Sequence, residues 1–288
     1  MVNILRMDVY RLVHGKSLWI MLAIIVAMAV TSAGAMAYIA SPEFMQTLQS
    51  SGGGVVHIGF TNGSGPDASD YADAAEVTAM MEGSLTPQAL VGSLFLNGSG
   101  LSCLFVIFIA IFLAAEFESG FSKNVFTAQP SRLAFLAVRT VEIIALAAVF
   151  TLVTTGVTVA TAAAAGFNLL PTTLPDVLLW GALVTLGIAG FGMLTALVVW
   201  LTHKMSASLV VGIILAAGIG TMLLQGVALL VPGVSFLTDF TLTTCLASLS
   251  KGFDAAGGLG PVHILLVAAA FIVGSAAIGG LALQKKDV

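Results

Sequence analysis

The stretch Glu116–Arg139 reads EFESGFSKNVFTAQPSRLAFLAVR. It gathers Glu116, Glu118, Lys123, Arg132 and Arg139 into one short interval, with apolar runs of membrane-spanning length on both sides. Only 8% of the chain is charged, so a polar island of this kind marks a boundary between two spans. Phe117 to Phe126 is helix-permissive, Pro130 breaks the run, and Ser131 opens a second helix. The pattern predicts a short helix lying across the membrane face before the chain re-enters the bilayer. Such a helix is a natural handle for a soluble partner.

Composition fixes the class. With 58% hydrophobic residues and a mean hydropathy of +1.07, the chain is no ordinary soluble globule. The net charge of -4 says little, because the charges are segregated by side. Cys103 lies in an apolar run and Cys245 in a later loop, which gives neither a disulfide framework nor a metal cluster. The sequence therefore predicts an all-α polytopic membrane protein forming a single transmembrane domain.

Working outward from the island toward the N-terminus, 94–115 is the second predicted span. Before it, 40–92 forms an outer loop carrying Glu43, Asp67, Asp70, Asp73, Glu76 and Glu82, without lysine or arginine. Within that loop a helix is expected from Pro66, its early acids suiting the N-terminal dipole. The acids recur every three residues, a spacing that misses the calcium-loop pattern and reads as a solvated face. Residues 18–39 form the first span, about 22 residues and roughly 33 Å as a helix, enough to cross a hydrocarbon core. A secretory signal is the competing reading for it, but the run is long for one.

Residues 1–17 read as an amphipathic interfacial helix. Ile4, Leu5, Val9, Leu12 and Val13 fall on one face, and Arg6, Asp8, Arg11 and Lys16 on the other. Gly15-Lys16-Ser17 is not a phosphate loop: Tyr10 stands where the leading glycine belongs, and no strand precedes it. No nucleotide site is legible, and neither is a catalytic constellation such as HExxH or a serine–histidine pair.

Toward the C-terminus the predicted spans are 143–165, 177–201, 207–231 and 262–283. The third carries Thr151, Thr154, Thr155, Thr158 and Thr161 on one helical face. Their hydroxyls serve helix packing, or Thr151, Thr155 and Thr158 line a translocation path. Gln225, in the fifth span, is costly in a membrane unless paired, so a hydrogen bond to another helix is expected and a place on the path is the sharper alternative. Residues 232–261 are too apolar for a plain loop and too polar for a span. Short helices dipping into the outer leaflet are expected there, shielded by protein.

Placing both termini inside puts Arg6, Arg11, Lys16, Lys123, Arg132, Arg139, Lys204, Lys285 and Lys286 on the inner side, nine of the ten basic residues. Only Lys251 lies outside. The positive-inside rule then gives a multi-pass protein of the cytoplasmic membrane with cytoplasmic termini and an even number of spans, six.

This organisation resembles the type-2 ABC-transporter permeases. The segment Glu116-Phe117-Glu118-Ser119-Gly120-Phe121-Ser122-Lys123-Asn124, followed by Pro130-Ser131-Arg132 and Arg139, is similar to that family's acidic-glycine motif and coupling helix. Phe121 stands where the family often has threonine. Within the family the chain is most similar to the small permeases of lantibiotic-immunity and bacitracin-resistance exporters. The resemblance implies a transmembrane half that pairs with a second copy or a sister permease and with a cytoplasmic ATP-binding subunit. It assigns coupling to Glu116, Glu118, Gly120 and Lys123, with Arg132 and Arg139 in support. It also implies that ATP and magnesium bind in the partner, with no cofactor on this chain.

The function expected is export of a hydrophobic or amphipathic substrate, such as an antimicrobial peptide, powered by that subunit. The alternatives are an ion-coupled transporter, or a polytopic sensor or assembly scaffold. An ion-coupled carrier needs ionisable groups deep inside spans, and none of the six apolar segments as drawn contains an Asp, Glu, Lys or Arg. Nothing in the sequence points to nucleic acid.

Overall fold

The computed structural model describes residues 2–39, 86–118, 132–167, 169–252 and 259–285. All of its regular elements are helical. They are α1 (Val2–His14), α2 (Lys16–Ile39), α3 (Pro87–Val91) running into a π-helical turn (Gly92–Leu96), and α4 (Gly100–Glu118). There follow α5 (Arg132–Ala164), α6 (Leu174–Thr202), α7 (Met205–Ala216), α8 (Ile219–Leu230), a 3-10 turn (Pro232–Phe240), α9 (Leu242–Ser250) and α10 (Pro261–Lys285). Most of the predicted outer loop, including its acidic helix, and the centre of the polar island lie outside the described residues.

Five helices, α2, α4, α5, α6 and α10, are long and apolar enough to cross a membrane, and α7 with α8 make a sixth candidate. The chain is thus a polytopic helical membrane protein, as its composition required. The boundaries differ from those read in the sequence. The second span starts at Gly100, because Gly92–Leu96 belongs to a separate packed turn. There Gly92 is required by close approach: a Cβ would collide with the backbone of Ser250. The third span starts at Arg132, well before the predicted 143, so Arg139 and Glu142 lie inside a helix of 33 residues. The fifth is not one helix. It bends by 50° between α7 and α8, where Gly218 takes the left-handed φ of 80° that glycine adopts at little cost.

α6 is the axis of the bundle. α4, α5, α7, α9 and α10 all pack on it, and Trp180 and Trp200 near its two ends are fully buried. The Trp180 indole N–H donates to the Leu249 carbonyl at 2.9 Å, fastening α9 to the bundle. Beside α6, Phe105, Phe108 and Phe150 interlock, the ring of Phe105 standing edge-on to Phe150 at 5.3 Å and that of Phe108 tilted against it at the same distance. In lipid such contacts hold by dispersion and shape, since apolar burial between helices gains little over contact with acyl chains.

The segment after α8 fits the expectation of short helices only in part. α9 is protected: Leu242, Cys245, Leu246 and Leu249 are buried. Burial, with Asp239 nearby, pushes the Cys245 thiol up to about 12, so it stays protonated and inert. The 3-10 turn, by contrast, leaves Phe236, Leu237 and Phe240 exposed.

Candidate functional site

The island's two flanks meet α1 in one buried charge cluster. Arg139, on the second turn of α5, is fully buried and faces carboxylates from three helices. Its Nη1 lies 2.5 Å from Glu142 Oε2 and 3.2 Å from Asp8 Oδ2, and its Nη2 lies 2.9 Å from Glu116 Oε1. Arg11 donates to the same Glu116 oxygen from α1. The guanidinium of Arg11 lies 4.8 Å from the Phe112 ring centroid and that of Arg139 lies 5.0 Å from the Phe135 centroid, cation–π contacts that cap the cluster with apolar rings. The planar fork of arginine is what allows one buried side chain to serve three acids, which a lysine's point charge would not do.

This overturns the sequence assignment of Asp8 to the solvated face of α1. Asp8 is 0% exposed, whereas Val9 and Val13 on the apolar face are each 48% exposed and free to face lipid. The face that docks carries Asp8 and Leu12, one turn apart. A buried carboxylate is tolerable only against a fixed opposite charge, and Arg139 supplies it from 131 positions away. Arg139 and Glu142 form the i, i+3 pair that their spacing allows, but as part of a larger network. The absence of ionisable groups from the third span does not survive either, because Arg139 and Glu142 sit within it once its true start is seen.

Three consecutive residues at the end of α4 distribute that helix's contacts. Glu116 turns toward α1 and α5. Phe117 stacks on His203 at 4.7 Å and 7° between planes, and Glu118 turns to α7, where its Oε1 accepts from the Met205 backbone N–H at 3.0 Å. That N–H is one of the donors a helix start leaves unpaired, and Lys204 offers it no side-chain cap. Glu118 therefore caps α7 from another helix. Residues two apart lie about 200° apart around a helix, which is why the two acids serve opposite neighbours. Gly120 and Lys123 lie outside the described residues, and Arg132 opens α5.

The other predicted residues are scattered. Thr151 and Thr158 are buried and Thr155 half-buried. Gln225 is exposed on α8, an element with no buried residue, so its expected bond to another helix is not formed among the described residues. No cluster of His, Cys, Asp or Glu suited to a metal ion occurs among the described residues. The sequence reading missed Asp8 and Glu142 as members of the site. A signal existed for Glu142, an acid three residues from Arg139 in an apolar helix; Asp8, between Arg6 and Arg11, carried none.

No family model matches the chain, and no curated protein matches it. What the fold and the site define is a class: a multi-pass helical membrane protein whose N-terminal helix is locked to the ends of two spans by buried charge.

Proposed function

We propose that this chain is the permease subunit of a type-2 ABC exporter, residing in the cytoplasmic membrane with α1 and the 119–131 segment on the cytoplasmic side. It moves a hydrophobic or amphipathic substrate, an antimicrobial peptide among them, using ATP hydrolysed by a separate subunit. The observation that carries the reading is the wiring of the segment's flanks. One flank is α4, joined through Glu116, Phe117 and Glu118 to α1, α5 and the α6–α7 turn; the other is α5, held by Arg139. A partner that pushes on residues 119–131 would move these elements together, because the connections are ion pairs, a ring stack and a cap rather than a slack loop. In this reading Gly120 and Lys123 meet the ATP-binding subunit, with Arg132 at the membrane face, and a second permease copy or a sister permease completes the path. The exposed apolar surface of α8 and Gln225 on it suits that second subunit.

The ion-coupled alternative gains one observation, the buried acids Asp8, Glu116 and Glu142. They lie at one end of the bundle, however, and each faces a guanidinium rather than a pore, so the cluster favours fastening over ion relay.

The test is co-purification with an ATPase subunit followed by reconstitution. Lys123→Glu should leave the permease folded and assembled with the bilayer while abolishing substrate-stimulated ATPase activity. Unchanged stimulated turnover, or no ATPase partner at all, would remove this reading. Thiol labelling of intact cells at cysteines placed at Asp73 and Ser122 tests the orientation: reagent reaching Ser122 but not Asp73 would invert it.

A further inference from the structure

The charge cluster does not balance where it is most deeply buried. Glu116 faces both Arg11 and Arg139. Asp8 and Glu142 face Arg139 alone among the described residues, and both reach its Nη1, at 3.2 and 2.5 Å. Asp8 is 0% exposed and Glu142 3%. Two acids thus depend on one guanidinium that Glu116 shares. A surplus negative charge at that depth is costly, and no other side chain there offsets it. The acids do not form a group suited to a metal ion either.

A second observation is independent of the charge count. Asp8 Oδ2 and Glu142 Oε1 are both shut off from solvent, and neither accepts a hydrogen bond among the described residues. The two carboxyls are nevertheless within hydrogen-bonding reach of each other across the contact between α1 and α5. Two ionised carboxylates repel in that position, since neither has a proton to donate. One carboxylic acid beside one carboxylate attract, because the O–H of the first donates to an oxygen of the second. A single proton therefore removes the surplus charge and pairs the two acids at once.

We propose that Asp8 and Glu142 hold one proton between them, and that this proton latches α1 to α5. The charged groups that face the pair are Arg139 on α5, Arg11 on α1 and Glu116 on α4. Loss of the proton to water leaves two carboxylates side by side, and α1 is the element that yields. Among its described side chains only Asp8 and Leu12 are buried, so little else holds it. A cleft of about 380 Å³ between α1 and α4, lined by Arg11, Leu12, Phe112 and Glu116, brings water to the edge of the cluster. The sign follows from linkage. Docked α1 binds one proton more than detached α1, whose Asp8 and the Glu142 it uncovers both ionise in water. Docking therefore weakens as pH rises, by up to about tenfold in its equilibrium constant per pH unit for one proton. The latch is a property of the cluster and is independent of the export reading.

The experiment is infrared spectroscopy of the purified full chain in detergent, with melting profiles alongside. Only a protonated carboxyl shows the carbonyl stretch of a carboxylic acid, so at neutral pH the chain's 14 acids should contribute that band only where a proton is retained. The unmodified protein should show the band at neutral pH and lose it reversibly at alkaline pH. Asp8→Asn and Glu142→Gln should each abolish it, because either exchange leaves the other acid ionised against Arg139. Each exchange keeps a polar group in place and should leave the melting temperature at neutral pH close to that of the unmodified protein. The two together leave Arg139 with Glu116 alone and should lower it by several degrees. The unmodified protein should melt at lower temperature as the pH is raised, and either single exchange should flatten that dependence. Absence of the band at neutral pH would mean that both acids are ionised and balanced by an ion from solution, which overturns the shared proton. A band that survives either exchange would put the proton on one acid alone and overturn it equally. If one variant fails to fold, the other decides, since each by itself must remove the band.

Discussion

The two halves of α5 use polar side chains in opposite ways. In its first three turns Arg139 and Glu142 are buried and mutually paired, and the helix is tied to α1 and α4 through Asp8 and Glu116. From Thr151 to Thr158 the same helix buries hydroxyls at Thr151, Thr154 and Thr158 that have no partner among the described residues. A charge left unpaired at low dielectric costs far more than a hydroxyl left unpaired. The half that carries charge must therefore set each charge against an opposite one, even though Asp8 Oδ2, Arg139 Nε and Glu142 Oε1 make no hydrogen bond among the described residues, whereas the half that carries hydroxyls can leave whole groups unmatched. Rigidity belongs to the first and vacancy to the second. Under the proposed export function the division would be a useful one, with force arriving at one end and room for a ligand at the other.

The strongest way to break the comparison is to remove Arg139. Arg139→Leu strands Asp8, Glu116 and Glu142 against one another with only Arg11 remaining. Deleting one partner of a buried ion network costs about 3–5 kcal/mol, so the variant should yield little monodisperse protein in detergent. Arg139→Lys keeps the charge but not the fork and should fall between the two. Fluorescence-detected size exclusion across a temperature ramp measures both. A wild-type melting profile for Arg139→Leu would show that the cluster does not hold α1 in place.

The two acids at the end of α4 allow a finer separation. Glu116→Gln removes a buried charge facing two guanidiniums and should destabilise by about 1.5–3 kcal/mol, the scale of a charge-assisted hydrogen bond. Glu118→Ala removes only the cap on α7, on the exposed side, and should cost about 1 kcal/mol. Glu118→Gln, whose carbonyl still accepts from the Met205 N–H, should cost less than the alanine change. Melting temperatures of the three variants give the order directly; Glu118→Ala proving the more damaging would reverse the assignment of Glu116 as the structural acid.

How much of this could be read from residues alone follows from what each feature depends on. The spans were legible because length and apolarity are local properties, and so was the opposition of Glu116 and Glu118, which is helix geometry. Arg139 with Glu142 was visible as a spacing. Asp8 was not, because nothing near it in the chain announces an arginine on α5, and an acid among basic residues reads by default as solvated. The start of α5 was read at Ser131, one residue from Arg132, but the span was begun at 143 because Arg139 and Glu142 look like a boundary until their partners are known to neutralise them. The bend at Gly218 was hidden in an uncharged run, although Gly218 and Gly220 close together in a span were a usable warning. Gly156 and Gly181 were visible as glycines, but only packing distinguishes a glycine that admits a neighbour from one that leaves a void.

The smallest effect has the most informative sign. Thr158 is fully buried, and its hydroxyl has no partner among the described residues. Valine has the same shape with a methyl in place of the hydroxyl. Replacing an unsatisfied buried polar group by an apolar one of equal shape removes a desolvation penalty without opening a void, and the two residues differ little in helix propensity. Thr158→Val should therefore leave the fold unchanged or stabilise it by up to about 1 kcal/mol, while every polar deletion in the charge cluster destabilises. Opposite signs on one helix, read from melting temperatures in the same detergent, are what the comparison requires. Should Thr158→Val destabilise the protein, its hydroxyl must be satisfied by water or by a second subunit, and the polar face of α5 would then be a wet path rather than a set of unmatched groups. Transport assays on the same variant would follow that outcome, because a wet path that loses a hydroxyl should pass its substrate more slowly even where the fold survives.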